Sequence, residues 1–80
     1  MSSVLIRFYA AARDAAGVRE LEVLPGTLEQ ILVRISENNS RLQQVLSRCS
    51  FLIDGTISHD NGIDVLAGST VDLLPPFAGG

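Results

Sequence analysis

The sequence predicts an α+β fold, a roll in which a mixed β-sheet packs against one main helix. Three observations carry this. Both ends of the chain alternate with a period of two, in Val4-Leu5-Ile6-Arg7-Phe8-Tyr9 and in Thr70-Val71-Asp72-Leu73-Leu74, as strands with one buried face do. The middle follows a helical period instead, with Leu28, Ile31, Leu32 and Ile35 at i, i+3, i+4 and i+7. The order of the segments is strand, strand, helix, then strands, and no repeat or linker interrupts it.

The first strand places Val4, Ile6 and Phe8 toward the core, because Arg7 on the other side prefers water, and it leaves Tyr9 pointing outward. The alanine-rich tract from Ala10 to Ala16 suits a short helical turn or loop, ended by Gly17 in the left-handed region. Alternation resumes from Arg19 to Leu24, with Leu21 and Val23 inward between Glu20 and Glu22. Pro25-Gly26 breaks that strand. Thr27 then precedes Gln30 by three residues, the spacing of a capping box, and opens the main helix.

Asn38-Asn39 ends the helix, after which Ser40 and Gln43 offer a second capping box ahead of a shorter stripe of Leu42, Val45 and Leu46. Phe51-Leu52-Ile53 and Thr56-Ile57-Ser58 read as two strands joined by an Asp54-Gly55 turn. Residues 59–69 look irregular, with turn chemistry at Asn61-Gly62 and Ala67-Gly68. In the last strand Val71 and Leu73 face the core, Asp72 faces water and Leu74 points out. If the first and last strands are neighbours, Tyr9 and Leu74 form an apolar patch on the face the helix leaves open.

Eighty residues make one domain, and 46% of them are hydrophobic, enough to build a core. The net charge of -3 and six scattered arginines, with no lysine, exclude the dense basic footprint of a nucleic-acid binder. The apolar runs are too short to span a bilayer, and MSSVLIRF lacks the charged start and apolar run of a secretory signal, so a cytoplasmic protein is expected.

The ending LLPPFAGG carries the functional reading. Proline cannot donate to a sheet ladder, so regular pairing ends near Pro75, and Pro75-Pro76 stiffens the chain into an extended form that projects from the body. The division expected is a body over residues 1–75 and a tail over 76–80. Gly79 and Gly80 carry no side chains, so the final peptide units are thin enough for a narrow channel and present a reachable carboxylate.

From Val4 to Gly80, and above all in VLIRFYAAARDAAG and AGSTVDLLPPFAGG, the chain resembles the β-grasp, ubiquitin-like sulfur carriers of the MoaD/ThiS type, and among them the small subunit of molybdopterin synthase. The resemblance implies that an E1-like, MoeB-like adenylyltransferase uses ATP to convert Gly80 to an acyl-adenylate, and that a thiocarboxylate then forms there. The large, MoaE-like subunit receives that sulfur for dithiolene formation in molybdenum cofactor biosynthesis. On this reading the chain is a non-catalytic carrier that binds no cofactor itself. Pro75, Pro76, Phe77, Ala78 and Gly79 form the segment that enters a partner's channel, and Tyr9, Arg13, Ile57 and Leu74 match positions that face the partners. Strand parity independently puts Tyr9 and Leu74 outside, whereas for Ile57 parity decides neither side. Sulfur delivery for thiazole or cysteine synthesis and conjugation to proteins through Gly80 are the alternatives; the paired prolines favour the molybdopterin branch.

Two other residues invite a mechanism and receive a structural reading. Cys49 ends an amphipathic segment, where a cysteine acts as a small hydrophobe. His59 sits in a turn-rich loop with no nucleophile or metal partner at a recognised spacing. The acidic residues are scattered singly, so no metal site is expected.

Overall fold

The computed structural model of the chain describes residues 3–76. Strand β1 (Val4–Phe8) buries Val4, Ile6 and Phe8 and leaves Leu5 and Arg7 half-buried on its other side, following the alternation. Helix α1 (Ala10–Ala16) comes next, so the alanine tract is a true helix; Gly17 closes it at φ 79° and donates its N–H to the Arg13 carbonyl.

Strand β2 (Glu20–Val23) runs antiparallel to β1, with Ile6 opposite Leu21 and Val4 opposite Val23. Leu21 therefore lies on the core side, yet it remains 40% exposed. The reason is position: β2 is the edge strand of the five-stranded sheet. Two very short strands, β3 (Gly26–Thr27) and β6 (Asp64–Val65), pair in a separate antiparallel ribbon. The sequence predicts neither, since two residues carry no readable period, but Val65 is fully buried there.

Helix α2 (Leu28–Ile35) begins with the expected capping box: the Gln30 N–H donates to Thr27 Oγ1 at 3.2 Å and the Thr27 N–H to Gln30 Oε1 at 3.0 Å. Leu28 and Ile31 are completely buried, and Leu32 and Ile35 pack at the border of the core. Helix α3 (Ser40–Leu46) departs from expectation at its start. Its cap is Asn39, whose Oδ1 accepts the Leu42 N–H at 3.0 Å, while Gln43 donates to the Ser36 carbonyl and no Ser40–Gln43 box forms. Asparagine wins because it has a donor as well: Asn39 Nδ2 reaches the Ala15 carbonyl at 2.9 Å and ties α3 to the end of α1.

Strands β4 (Ser50–Ile53) and β5 (Thr56–Ser58) form a hairpin whose turn residues Asp54 and Gly55 take φ 51° and 84°, the double left-handed geometry of a tight two-residue turn. Strand β7 (Thr70–Leu74) closes the sheet in the order β2-β1-β7-β4-β5. The pairing of β1 with β7 is parallel and the other pairings are antiparallel, so the sheet is mixed. Its covered face meets Leu28 and Ile31 of α2, Leu42 and Leu46 of α3, and Ala12 of α1 in one core. Each fully buried aliphatic side chain contributes about 1.5–3 kcal/mol. All three helices share that face, which leaves the opposite one open.

Candidate functional site

The strand registers build the open face row by row. Arg7 lies opposite Glu20 on one side and Asp72 on the other, Asp72 lies opposite Leu52, and Leu52 opposite Ile57. One line of side chains, Glu20-Arg7-Asp72-Leu52-Ile57, thus crosses the five strands. Ile57 is settled by this register: it belongs to the open face and is 50% exposed. Toward the far end of β1 and β7 the next positions on that face are Tyr9 and Leu74. They fall on neighbouring strands one step past the Phe8–Leu73 pair; Tyr9 is exposed and Leu74 half-buried.

The outward-facing residues are not simply solvated. Arg7 grips Asp72 with two prongs, Nε to Oδ1 at 2.6 Å and Nη2 to Oδ2 at 3.1 Å. Asp72 therefore points away from the core, as its parity required, but is held by a partner rather than by water. The hydrogen bond that Arg7 donates to Asp72, and next the carboxylate's charge, push the Arg7 pKa above its usual value, so the guanidinium stays charged.

Tyr9 also starts α1, its carbonyl accepting the Ala12 N–H at 3.0 Å and the Arg13 N–H at 3.4 Å. One turn on, Arg13 is exposed and lines a shallow hollow with Arg7, Tyr9, Arg19 and Glu20. The structure therefore brings Tyr9, Arg13 and Leu74 toward one end of the sheet. Ile57 shares the open face with Tyr9 and Leu74 but sits three strands away from β1, about 14 Å at the usual strand spacing.

The described residues also stop at that end of the sheet. β7 stops at Leu74; Pro75 is buried against the body and Pro76 is exposed in a turn. Both prolines border a groove of about 510 Å³ with Ala11 of α1, Val45 of α3 and Arg48 just past its end. The positions expected to carry the chemistry, Phe77, Ala78, Gly79 and Gly80, lie outside the described residues.

Cys49 is half-buried, its Sγ 3.3 Å from the Val45 carbonyl, and burial pushes its thiol up to about 11, away from nucleophilic use at neutral pH. His59 is exposed loop surface. Among the described residues no cluster of histidine, cysteine and carboxylate suits a metal, and no helix is long and apolar enough to cross a membrane.

A family model described as the ThiS family matches residues 6–80. The chain belongs to the ThiS family. Its members are ubiquitin-like sulfur carriers of the ThiS/MoaD type, and the roll described above is their β-grasp fold. Among solved structures, a Pyrococcus furiosus protein assigned as molybdopterin converting factor subunit 1 superposes with a TM-score of 0.81 at 18% identity, covering 95% of this chain and 99% of that one. Small archaeal modifier protein 1 of Haloferax volcanii gives 0.79 at 20% identity, covering 95% and 99%. Subunit 1 of the molybdopterin-converting factor of Helicobacter pylori, solved in complex with subunit 2, gives 0.74 at 19% identity, covering 98% and 99%. No curated protein sequence matches the chain.

For this ThiS-family chain, sequence alone does not reveal that Leu52 joins the open face or that Arg7 and Asp72 pair on it. Parity places Arg7 and Asp72 outward, but their union depends on β1 and β7 lying side by side across 65 residues of sequence. Leu52 carries a weaker signal, as the outward residue between Phe51 and Ile53.

Proposed function

We propose that this chain is the small, sulfur-carrying subunit of a molybdopterin synthase, with the sulfur held as a thiocarboxylate on Gly80. The observation that carries the reading is the reach of the family match, which runs through the Gly79-Gly80 end as well as the folded body. The chemistry asks little of the body. A carboxylate is a poor electrophile until one oxygen leaves easily. An E1-like, MoeB-like enzyme attaches AMP from ATP to Gly80 and releases pyrophosphate; a donor supplying sulfur at the oxidation level of sulfide then displaces AMP, leaving C(=O)S⁻ and a proton. That sulfur is a nucleophile at neutral pH and is delivered within the large, MoaE-like subunit for dithiolene formation. The chain contributes a thin tail, a rigid base at Pro75, and an open face on which Tyr9, Leu74 and Ile57, with Arg13 of α1 at its border, meet the partners. It supplies no catalytic group, binds no cofactor and works in the cytoplasm.

The Pro75-Pro76 pair and the likeness to two molybdopterin converting factor subunits favour this branch over thiazole or cysteine synthesis. The likeness to a small archaeal modifier protein favours a second reading, conjugation of Gly80 to other proteins. With no lysine, the chain has no side-chain amine on which to build chains of itself. The deciding experiment presents the thiocarboxylated chain to a molybdopterin synthase large subunit with its pterin substrate and follows dithiolene formation. Turnover that depends on this chain supports the proposal. Absence of turnover, together with high-mass adducts in a lysate, would replace it with the modifier reading.

A further inference from the structure

The free edge at β2 has a backbone phase and a charge pattern that together define a ligand. The Phe8 N–H donates to the Arg19 carbonyl at 2.9 Å, and antiparallel pairs alternate, so Arg19, Leu21 and Val23 spend their backbone groups on β1. The N–H and C=O of Glu20 and Glu22 consequently point out of the sheet, on a side where β2 has no neighbouring strand among the described residues. The following outward carbonyl, that of Leu24, is already taken by Arg34 Nη1 at 3.1 Å. The edge is thus closed at one end and open over a stretch of two ladder-forming residues.

We propose that this edge is a second docking site, one that takes an extended segment of a partner protein in which basic and apolar residues alternate. Side chains directly opposite each other in a ladder share a face. Glu20 and Glu22 lie on the open face, across from Arg7 and Leu5, so an added strand sets two side chains beside two carboxylates. Arg7 is engaged by Asp72, and Ser3 Oγ uses one oxygen of Glu22 at 2.8 Å, which leaves carboxylate oxygens on both glutamates for incoming cations. Between them, on the helix side, exposed Leu21 offers apolar surface to the intervening residue. The fitting sequence is basic-apolar-basic in a strand conformation, joined through main-chain hydrogen bonds as in other cases of strand addition.

A second copy of this chain is a poor occupant. Antiparallel self-pairing centred on Leu21 sets Glu20 against Glu22 twice, the like-charge arrangement by which natural edges resist their own kind. The site lies at the β2 edge, four strands from Ile57; Glu20 borders the hollow lined by Tyr9 and Arg13, and Glu22 lies two residues further along the strand.

The test is a backbone-amide NMR titration of the full ¹⁵N-labelled chain with the blocked peptide Thr-Arg-Ile-Arg-Val-Thr. Controls are Thr-Glu-Ile-Glu-Val-Thr and an arginine peptide N-methylated on its edge-facing amides. The arginine peptide is expected to shift the amides of Glu20, Leu21 and Glu22 and to bind about tenfold tighter than the glutamate peptide. The doubly reversed variant E20R/E22R, altered only at exposed positions, should invert that preference, and N-methylation should abolish binding to either form. Equal binding of the two peptides, shifts centred on Ile57 or Leu74 instead, binding that survives N-methylation, or peptide-independent association through β2 would each overturn the proposal.

Discussion

Arg7 on β1 and Asp72 on β7 face each other across the parallel pair and join through both prongs of the guanidinium, at 2.6 and 3.1 Å. The Asp72 side chain is only 13% exposed and that of Arg7 43%, so the pair is sunk into the middle of the open face rather than floating above it. It fastens the two central strands on the side where no helix covers them.

Because the two groups act as a unit, Arg7→Ala and Asp72→Ala are expected to lower Tm individually, while the double variant falls by clearly less than the sum. Thermal melts of the four proteins check this. Strict additivity would mean that the pair contributes nothing beyond its separate parts.

Ile57 is half exposed on the open face and makes no part of the core. Ile57→Asp should therefore cost only about 1 kcal/mol of folding stability, through strand preference and its pairing with Leu52. The same substitution should weaken binding to a molybdopterin synthase large subunit by about tenfold or more, as loss of an interface anchor does. Calorimetric titration measures it, and unchanged affinity would remove Ile57 from the partner surface.

The two helix starts make a paired prediction. Thr27→Ala and Asn39→Ala each remove an observed cap and should cost about 1 kcal/mol in urea unfolding, whereas Ser40→Ala should cost little. A large loss at Ser40 with none at Asn39 would contradict the observed capping.

Cys49 tests burial through pH. Its thiol, ordinarily near ~8.5, is pushed up to about 11 by burial. The unfolded chain thus ionises first, and the stability linked to this group is present below the ordinary thiol range and is lost as pH rises toward 11. Iodoacetamide alkylation of the folded protein should accordingly stay slow at pH 8 and accelerate only well above it. A rate profile turning over at an ordinary thiol pKa would show the sulfur to be open to solvent.

Much of the fold is legible in the sequence, for reasons that can be named. β1 and β7 alternate over five residues each, long enough for Arg7 and Asp72 to declare which side is wet, and α2 announces itself through the Thr27–Gln30 box. The β3–β6 ribbon is hidden because Gly26-Thr27 and Asp64-Val65 are too short to show a period. The cap of α3 falls on Asn39, one residue before the position that spacing predicts, because its second bond runs to Ala15, across 24 positions that local sequence does not connect. Alternation gives Leu21 the right side but too deep a place, since it reports a face and not whether the strand lies at an edge. Of the candidate surface, Tyr9 and Leu74 follow from parity, while Ile57 requires the full register from Arg7 across to β5.

The most direct test is the intact mass of the purified chain after incubation with ATP, a cognate activating enzyme and a sulfur donor. The account predicts a mass gain equal to the exchange of one oxygen for sulfur, located on Gly80 and missing when that residue is deleted. The same gain in the deleted chain, or none in the complete one, would contradict it.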